Sequence, residues 1–459
     1  MKRTSMTVTD MTTGNPLRRI LVFALPILIG NIFQHVYGVV DTMVAGYNLG
    51  DGAIAAIGAT SSLYGLIFSL AWGINSGFAL AVTRSFGAHD EERMRYAVAG
   101  TVLLDGIMTA VLTALSLLLL RPLMRVLNTP EVIFEEAYSY MVLICAGMGA
   151  TIAFNMFASL LRAVGNSVVP LVFLIVSSIA NIALDVLFIG VFHWGVGGAA
   201  LATVLAQLLS AVLSGVCFVH DYRAFLPRKT DFRIPKDILR ELISSGFAMA
   251  FMYSVVELGT VFYQSATNAL ADTLGEGIIT AHTAARRLLD IFMTPLLTIT
   301  DAGAVFIGQN FGAGKPERIR EGLKKELILA LIWSVLSIAI IYLLGAPIVR
   351  FTTGTRDAAV LDNAVLSLRI HSPFLPLLTV LFALRTAMQA VGIKTTTVVS
   401  SGIELGMKIL AALWLIPLLG FIGTCITEPI IWTLCAAFLT AVYGRRRRTM
   451  YALSDVGNS

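Results

Sequence analysis

Charged residues are scarce in this sequence, and this scarcity is its most informative property. Only 13% of the 459 residues are charged, whereas 57% are hydrophobic and the mean hydropathy is +0.81. In soluble domains, about a quarter of the residues are charged. The composition therefore excludes an ordinary water-soluble fold and predicts a membrane protein.

Cysteine is also rare. The four cysteines, Cys145, Cys217, Cys425 and Cys435, all lie inside apolar runs. They form neither a disulfide framework nor the close spacing of a cysteine metal site. We therefore expect no disulfide bonds and no cysteine-bound metal.

Catalytic and nucleotide-binding motifs are missing from the sequence. It contains no HExxH, GxSxG or dinucleotide-binding fingerprint. The stretch FGAGKPER, Phe311–Arg318, has the Gly-Lys pair of a phosphate loop, but Pro316 stands where a Ser or Thr would hold Mg²⁺. We therefore predict a protein that is not an enzyme, uses no ATP and carries no cofactor.

Long apolar runs are abundant instead. A helix needs about 20 apolar residues to cross the hydrocarbon of a bilayer. Twelve such runs can be marked, beginning with Leu17–Ala45 and ending with Phe421–Tyr443; the fourth is Phe134–Leu160. The predicted fold is an all-α polytopic membrane protein with twelve transmembrane helices. The first run is too long for the core of a signal peptide, so we expect it to remain in the protein.

The basic residues predict the orientation in the membrane. If the N-terminus is cytoplasmic, most of the 33 Lys and Arg residues fall on cytoplasmic loops and tails, as the positive-inside rule requires. Only Arg121, Arg125, Arg350 and Arg356 then fall on the outer loops. Both termini are predicted to be cytoplasmic, and the net charge of +5 requires no nucleic-acid partner.

The second half of the chain repeats the first. Four short motifs recur in the same order, most of them 225 residues apart: FGAHDEERMR and FGAGKPERIR, RPLMR and APIVR, RAVGN and QAVGI, GVGGAALAT and GFIGTCITE. Each half has six spans, so both halves enter the membrane from the same side, which makes a parallel repeat. We predict an N-terminal six-helix lobe (1–219), a cytoplasmic linker (220–238), a C-terminal six-helix lobe (239–444) and a basic cytoplasmic tail (445–459).

Three stretches resemble the multidrug and toxic compound extrusion (MATE) family. They are LPILIGNIFQHVYGVVDTMVAG in span one, the FGA…ER loops after spans two and eight, and GVGGAALATVLAQ at the start of span six. The resemblance implies a transporter of the bacterial inner membrane with two six-helix lobes. It also implies efflux of organic, often cationic, compounds in exchange for Na⁺ or H⁺.

The resemblance also implies a set of functional residues. In the DinF-like bacterial branch, a cation site in the first lobe uses carboxylates of spans one and five with nearby Asn and Thr. The matching positions here are Asp41, Asn181, Asp185, Thr203 and Asn155, the last only a few residues from the loop at Arg162. Pro26 matches the position at which the family kinks span one.

The residues of span one support a polar cavity independently. Tyr37 and Gln34 lie one and two turns before Asp41, so the three share a helix face. An intramembrane carboxylate normally faces the interior of the bundle and marks an ion path. The alternative is that Asp41 reaches the outer headgroups, because it lies about 36 Å of helix from the start of the span.

Span five carries the second half of the expected site. Asn181 and Asp185 are spaced i, i+4 and therefore share a face, and Thr203 of span six falls at a similar depth. Carboxylate, amide and hydroxyl oxygens suit Na⁺ at Asp41, Asn181, Asp185 and Thr203, by analogy with Ca²⁺ and Mg²⁺ sites. Two neighbouring acids in an apolar lobe would equally suit a proton. The sequence does not choose between the two ions.

The second lobe differs at the matching positions. Glu404 and Lys408 stand opposite Asn181 and Asp185 and predict an internal ion pair. We favour a structural pair, since buried charges must be paired; the alternative is that Lys408 acts as a built-in cation. Arg286 and Asp290 predict a second structural pair. Glu257 of span seven is a candidate substrate or proton residue, whereas Asp105 and Asp301 receive no role.

One other function fits the same two-lobed plan, a flippase for lipid-linked saccharides. Such a protein would be expected to have a strongly basic cavity, whereas the candidate residues here are acidic. We therefore favour an exporter of small organic molecules that acts as a monomer in the lipid bilayer. No feature of the sequence identifies its substrate.

Overall fold

The computed structural model describes residues 8–127, 129–270, 274, 275 and 277–452, and all regular secondary structure in these ranges is helical. The α-helices are α1 (Pro16–Leu49), α2 (Asp51–Gly87), α3 (Glu91–Val126), α4 (Glu131–Ala146), α5 (Met148–Ala163), α6 (Val168–Asp185), α7 (Gly195–Asp221), α8 (Lys236–Ala269), α9 (Gly277–Gly312), α10 (Pro316–Thr353), α11 (Ala358–His371), α12 (Leu375–Ala390), α13 (Lys394–Leu410), α14 (Ile416–Leu419) and α15 (Phe421–Ala452). Single π-helical turns, Val186–Val191 and Ala411–Leu415, follow α6 and α13.

The number of membrane spans agrees with the prediction. Among the described residues, eleven helical segments are long and apolar enough to cross a membrane, and the pair α4 and α5 makes a twelfth. The fourth apolar run, Phe134–Leu160, contains a break, because the chain bends by 48° between α4 and α5. Gly147 occupies the bend, and a Cβ at this position would lie 2.3 Å from the Val204 side chain of α7. The close approach of α7 therefore requires a glycine.

The tenth span has an interruption at the matching place. A short 3₁₀ turn, Ser372–Phe374, separates α11 from α12, and Pro373 lies within it. Ser372 follows Gly147 by 225 residues, the spacing of the repeat. The two halves of the chain thus share an irregularity that the hydropathy pattern alone did not indicate.

The chain forms two compact units, and these follow the repeat with one exchange. The first contains 8–10 and 25–250, and the second contains Met11–Ala24 and 251–452. The two units cover most of the predicted lobes, 1–219 and 239–444. The beginning of α1 lies in the first predicted lobe but packs in the second unit. The beginning of α8 lies in the second predicted lobe but packs in the first unit. The two helices change unit after Ala24 and after Ala250, close to one repeat length apart.

In the first unit, the beginning of α8 packs closely on α2. A Cβ at Gly77 would lie 2.4 Å from the carbonyl oxygen of Ser245. Small residues allow two helix backbones to approach in this way. At the same end, Glu241 of α8 bonds Arg84 at 2.7 Å and Arg93 at 2.8 Å. The beginning of α8 is therefore held to the first unit by packing and by ion pairs.

In the second unit, the segment before α1 is held by the α9–α10 corner. Arg318 donates to the carbonyl oxygens of Gly14 and Met11 at 2.9 and 3.0 Å, and Asn310 also donates to Met11 at 2.9 Å. Met11 is fully buried. At the other end of the chain, the predicted basic tail is helical as far as Ala452, and the rest of it lies outside the described residues.

Candidate functional site

The predicted carboxylates of spans one and five meet in the first unit. The side chains of Asp41 in α1 and Asp185 in α6 lie within hydrogen-bonding distance of each other. Asp185 is only 1% exposed, whereas Asp41 is half-buried. Two carboxylates this close repel each other unless a positive charge lies with them. A cation, or a proton shared between the two groups, would relieve this repulsion.

Asn181 lies one turn before Asp185 and is 1% exposed. Neither amide atom of Asn181 has a hydrogen-bond partner among the described residues, and no described residue donates to the two Asp185 oxygens. Buried polar groups are nearly always hydrogen-bonded in folded proteins, so a cluster of unpaired ones calls for a ligand or water. The π-helical turn that begins at Val186 distorts the helix directly after Asp185. Such turns often occur at functional sites.

Thr203 of α7 lies at the depth of Asn181. Ser210 donates to the Phe173 carbonyl at 3.3 Å, and Gly198 packs on Phe188, so α6 and α7 run antiparallel. Counting between these two contacts brings Thr203 level with Asn181. Its hydroxyl donates to Ala199 at 3.1 Å, which leaves the lone pairs of the oxygen able to accept.

Asn155 lies farther along the lobe. Gly147 packs on Val204 and Phe157 packs on Gly215, so α5 and α7 run in the same direction. Asn155 is consequently level with Leu213, about ten residues or roughly 15 Å of helix from Thr203. It is buried, and its amide nitrogen has no acceptor among the described residues. This geometry does not bring Asn155 to the carboxylate pair, and its role stays a prediction.

Three tyrosines lie near the carboxylates. Tyr37 interacts electrostatically with both Asp41 and Asp185, as does Tyr140 of α4, and Tyr64 of α2 interacts with Asp41. The sequence analysis included Tyr37 but missed Tyr64 and Tyr140. Both are polar-tipped residues in apolar spans, which was the available signal. Because both are far from Asp41 along the chain, the sequence did not indicate that they lie near it.

The remaining first-lobe candidates lie on α1. Gln34 is exposed, and Pro26 is part-buried inside a helix that continues without a break. Pro26 is two residues beyond Ala24, after which α1 changes unit. The hinge and cavity roles of these residues stay predictions. Glu257 of α8 belongs to the second unit and is half-buried there.

The polar atoms of the candidate site are suited to a hard cation. Asp41, Asp185, Asn181 and Thr203 offer only oxygens and one amide nitrogen, and hard cations prefer oxygen ligands. In the described ranges, no group of three or more His, Cys, Asp or Glu residues could hold a metal ion. The residues therefore suit Na⁺ or a shared proton better than a transition metal.

Two clusters of buried charges in the second unit are internally paired. Lys408 Nζ lies 3.4 Å from Glu404 Oε1, and Arg385 donates to Glu404 Oε2 at 3.1 and 3.2 Å and to Ser400 at 2.7 Å. Arg385 is fully buried. The sequence analysis gave Glu404 one partner and missed Arg385, although a lone arginine in an apolar span was a visible signal. Arg286 also has two partners, Asp290 at 3.2 Å and Glu428.

Two further buried acids stand apart from these networks. Asp105 of α3 and Glu326 of α10 are buried, and none of their carboxylate oxygens has a partner among the described residues. Glu326 packs on Gly303, where a Cβ would lie 2.0 Å from its Oε2, and it interacts with Asp301. The geometry gives Asp105 no role, as the sequence did not.

Known proteins match the whole chain. The MatE family model matches residues 26–187 and 253–414. The probable multidrug resistance protein YpnP of Bacillus subtilis is 28% identical over 95% of this chain and 97% of its own. An FAD transporter of Shewanella oneidensis is 26% identical over 70% of this chain and 71% of its own. A crystal structure of MATE in the bent conformation superimposes with a TM-score of 0.88 at 21% identity and covers 100% of both chains.

The family match falls on both halves of the repeat. Its two segments contain Asp41 and Asp185 in the first half and Glu257, Glu404 and Lys408 in the second. The matched residues make up well over half of the chain, so the family is established by sequence and agrees with the fold. The chain belongs to the MatE family and is therefore a multi-pass membrane transporter and not an enzyme.

Proposed function

We propose that this protein is a secondary active exporter that extrudes organic compounds in exchange for Na⁺ or H⁺. The observation that carries the proposal is the contact between Asp41 and Asp185 beside an unpaired, buried Asn181. A site with two acids and no protein cation binds one cation from solution. Exchange of that cation for the substrate would then provide the driving force, without ATP.

The coupling depends on competition for the same charges. With a cation bound, the Asp41–Asp185 pair is neutralised and attracts an organic cation weakly. Once the cation leaves, the pair attracts a positively charged substrate. Alternating access of the two lobes would expose the site first to one side of the membrane and then to the other, with Pro26 as the hinge of α1.

The substrate class follows from charge. The first unit offers acids and tyrosines, which favour organic cations through ion pairing and cation–π contacts. The names of the relatives are compatible with several substrates, since they include multidrug resistance proteins and an FAD transporter. Gln34, Tyr37 and Glu257 are the candidate substrate contacts. The flippase alternative has no support from these relatives.

The cellular setting is part of the proposal. We place the protein in the bacterial plasma membrane as a monomer, with both termini cytoplasmic. The arginine run Arg445–Arg448 and the basic linker would then lie on the cytoplasmic side. Protease protection of a tag at either terminus in spheroplasts would test this orientation.

Efflux from proteoliposomes tests the function. A fluorescent organic cation is loaded, and Na⁺ and H⁺ gradients are imposed separately on wild type, Asp41→Asn and the matched variant Asp362→Asn. Asp362 is an exposed residue of α11. We expect one gradient to drive efflux, Asp41→Asn to reduce it at least about tenfold, and Asp362→Asn to leave it unchanged. Efflux by Asp41→Asn at the wild-type rate would refute the site.

A further inference from the structure

A groove in the second unit has no part in the site described above. It lies between the beginning of α13 and the end of α15 and has a volume of about 420 Å³. Binding pockets for small organic molecules have volumes of roughly 300–1,000 Å³. The groove is lined by Thr395, Thr396, Val399, Phe438, Val442, Arg445 and Arg446.

One end of the groove is strongly positive. Arg445 and Arg446 are exposed, and neither makes an ion pair or a hydrogen bond within the described part of the chain. The stretches 394–403 and 430–452, which form the two walls, contain no Asp or Glu. The guanidinium groups are therefore not neutralised by the protein, and an anion would be attracted to them.

The start of α13 adds further donors at the same end. Ile393 precedes this 17-residue helix, and no side chain caps its first turn. Apart from the Lys394 N–H, which donates to the Gly392 carbonyl oxygen at 3.1 Å, the first N–H groups of this helix have no partner within it and favour anions. Thr396 is 5% exposed and lines the groove, and its hydroxyl makes no hydrogen bond among the described residues. The Thr396 hydroxyl, the two guanidinium groups and the start of α13 thus belong to the same end of the groove.

The other end of the groove is apolar. Val399 is exposed, Phe438 and Val442 are half-buried, and all three belong to helices that are apolar enough to span a membrane. Arg445 follows directly on the apolar run of α15, so the positive end lies at the depth of the lipid headgroups. A free inorganic ion would use only the polar half of this groove. A molecule with an anionic head and hydrocarbon chains fits both halves.

We propose that this groove binds an anionic phospholipid. Arg445, Arg446 and Thr396 hold the headgroup phosphate, and an acyl chain lies on Phe438 and Val442. Basic pockets between transmembrane helices are known to bind anionic headgroups. The proposal does not depend on the transported substrate or on the coupling ion.

Native mass spectrometry of the full-length, delipidated protein tests the proposal. Bound lipid is counted while palmitoyl-oleoyl phosphatidylglycerol or the matching phosphatidylcholine is added. The test variant is Arg445→Gln/Arg446→Gln, and the control is Arg447→Gln/Arg448→Gln, which has the same net charge but alters no residue of the groove. Thr396→Val is a third variant that keeps all the arginines, and the melting temperature of each variant checks its folding.

We expect wild type to prefer phosphatidylglycerol. Arg445→Gln/Arg446→Gln should lower this affinity at least about tenfold, because each basic residue near an anionic lipid changes binding roughly fivefold. The control should lower it less than about threefold, and Thr396→Val should lower it a few-fold. Equal losses in both double variants would overturn the groove as a site and indicate diffuse attraction to the tail. Displacement of the lipid by millimolar inorganic phosphate, or binding of both lipids alike, would overturn the lipid as the ligand.

Discussion

Helices α6 and α13 occupy equivalent places in the two halves of the repeat, but they differ in whether their buried polar residues have partners. Both carry two polar residues one turn apart, and a π-helical turn follows each helix. In α6, the Asn181 amide has no hydrogen-bond partner and no described residue donates to Asp185. In α13, Glu404 contacts Lys408 and Arg385.

We propose that this difference distinguishes a binding site in the first unit from a structural element in the second. A buried charge without a partner costs several kcal/mol, and a protein keeps one where a ligand compensates it. A buried charge with its partners in place needs no ligand. We infer that the first lobe binds the coupling cation and that the second lobe replaced this capacity with its own positive charges.

The largest effect is expected from removing a positive charge of the second lobe. Arg385→Ala leaves Glu404 with Lys408 alone and opens a cavity, and removal of one partner from a buried ion pair costs about 3–5 kcal/mol. We expect a marked fall in the melting temperature in detergent. Arg356→Ala, at an exposed arginine between α10 and α11, should change stability by less than about 0.5 kcal/mol. Equal melting temperatures for the two variants would contradict a structural network around Glu404.

A second prediction concerns the packing that assigns the beginning of α8 to the first unit. Gly77→Ala would place a Cβ 2.4 Å from the Ser245 carbonyl oxygen, which is backbone and cannot move aside cheaply. Overpacking of this kind costs about 1–3 kcal/mol. Gly58→Ala on the same helix meets nothing within 4 Å and should be neutral or slightly stabilising. Thermal unfolding of both variants gives the answer, and a stable Gly77→Ala would mean that α2 and α8 do not touch there.

The smallest loss of stability is expected from Lys408→Ala, and this variant also tests most directly whether the two lobes differ in ion binding. Lys408→Ala leaves Glu404 bonded to Arg385, so the loss of stability should be about 1–2 kcal/mol. The ion dependence and the rate of efflux should not change, because the coupling cation binds in the first lobe. A variant whose efflux no longer depended on the ion gradient would instead make Lys408 the built-in cation of the second lobe.

Much of the fold was predictable because it depends on patterns within the chain. Hydropathy predicted the spans, and the 225-residue repeat predicted two equivalent halves. The bend at Gly147 was not predictable from hydropathy, since the apolar run continues through it and the bend depends on contact with Val204. The exchange of the beginnings of α1 and α8 between units depends on packing in the same way.

For the candidate site, too, relations within one helix were predictable and contacts between helices were not. The i, i+4 relation of Asn181 to Asp185 follows from the helix period, and so does that of Glu404 to Lys408. The partners that come from other helices do not follow from any period. Tyr64 of α2 and Tyr140 of α4 interact electrostatically with Asp41, and Arg385 of α12 donates to Glu404. Such contacts require the tertiary structure.

The most direct test of the account measures the charge that moves when the coupling ion binds, without any substrate. Solid-supported membrane electrophysiology on wild type, Asp185→Asn and Lys408→Ala, with separate jumps in Na⁺ and H⁺, provides it. We predict that one of the two ions gives a current in wild type and in Lys408→Ala. The same ion should give no current in Asp185→Asn. A wild-type current in Asp185→Asn would contradict the account, because the ion would then bind outside the Asp41–Asp185 pair.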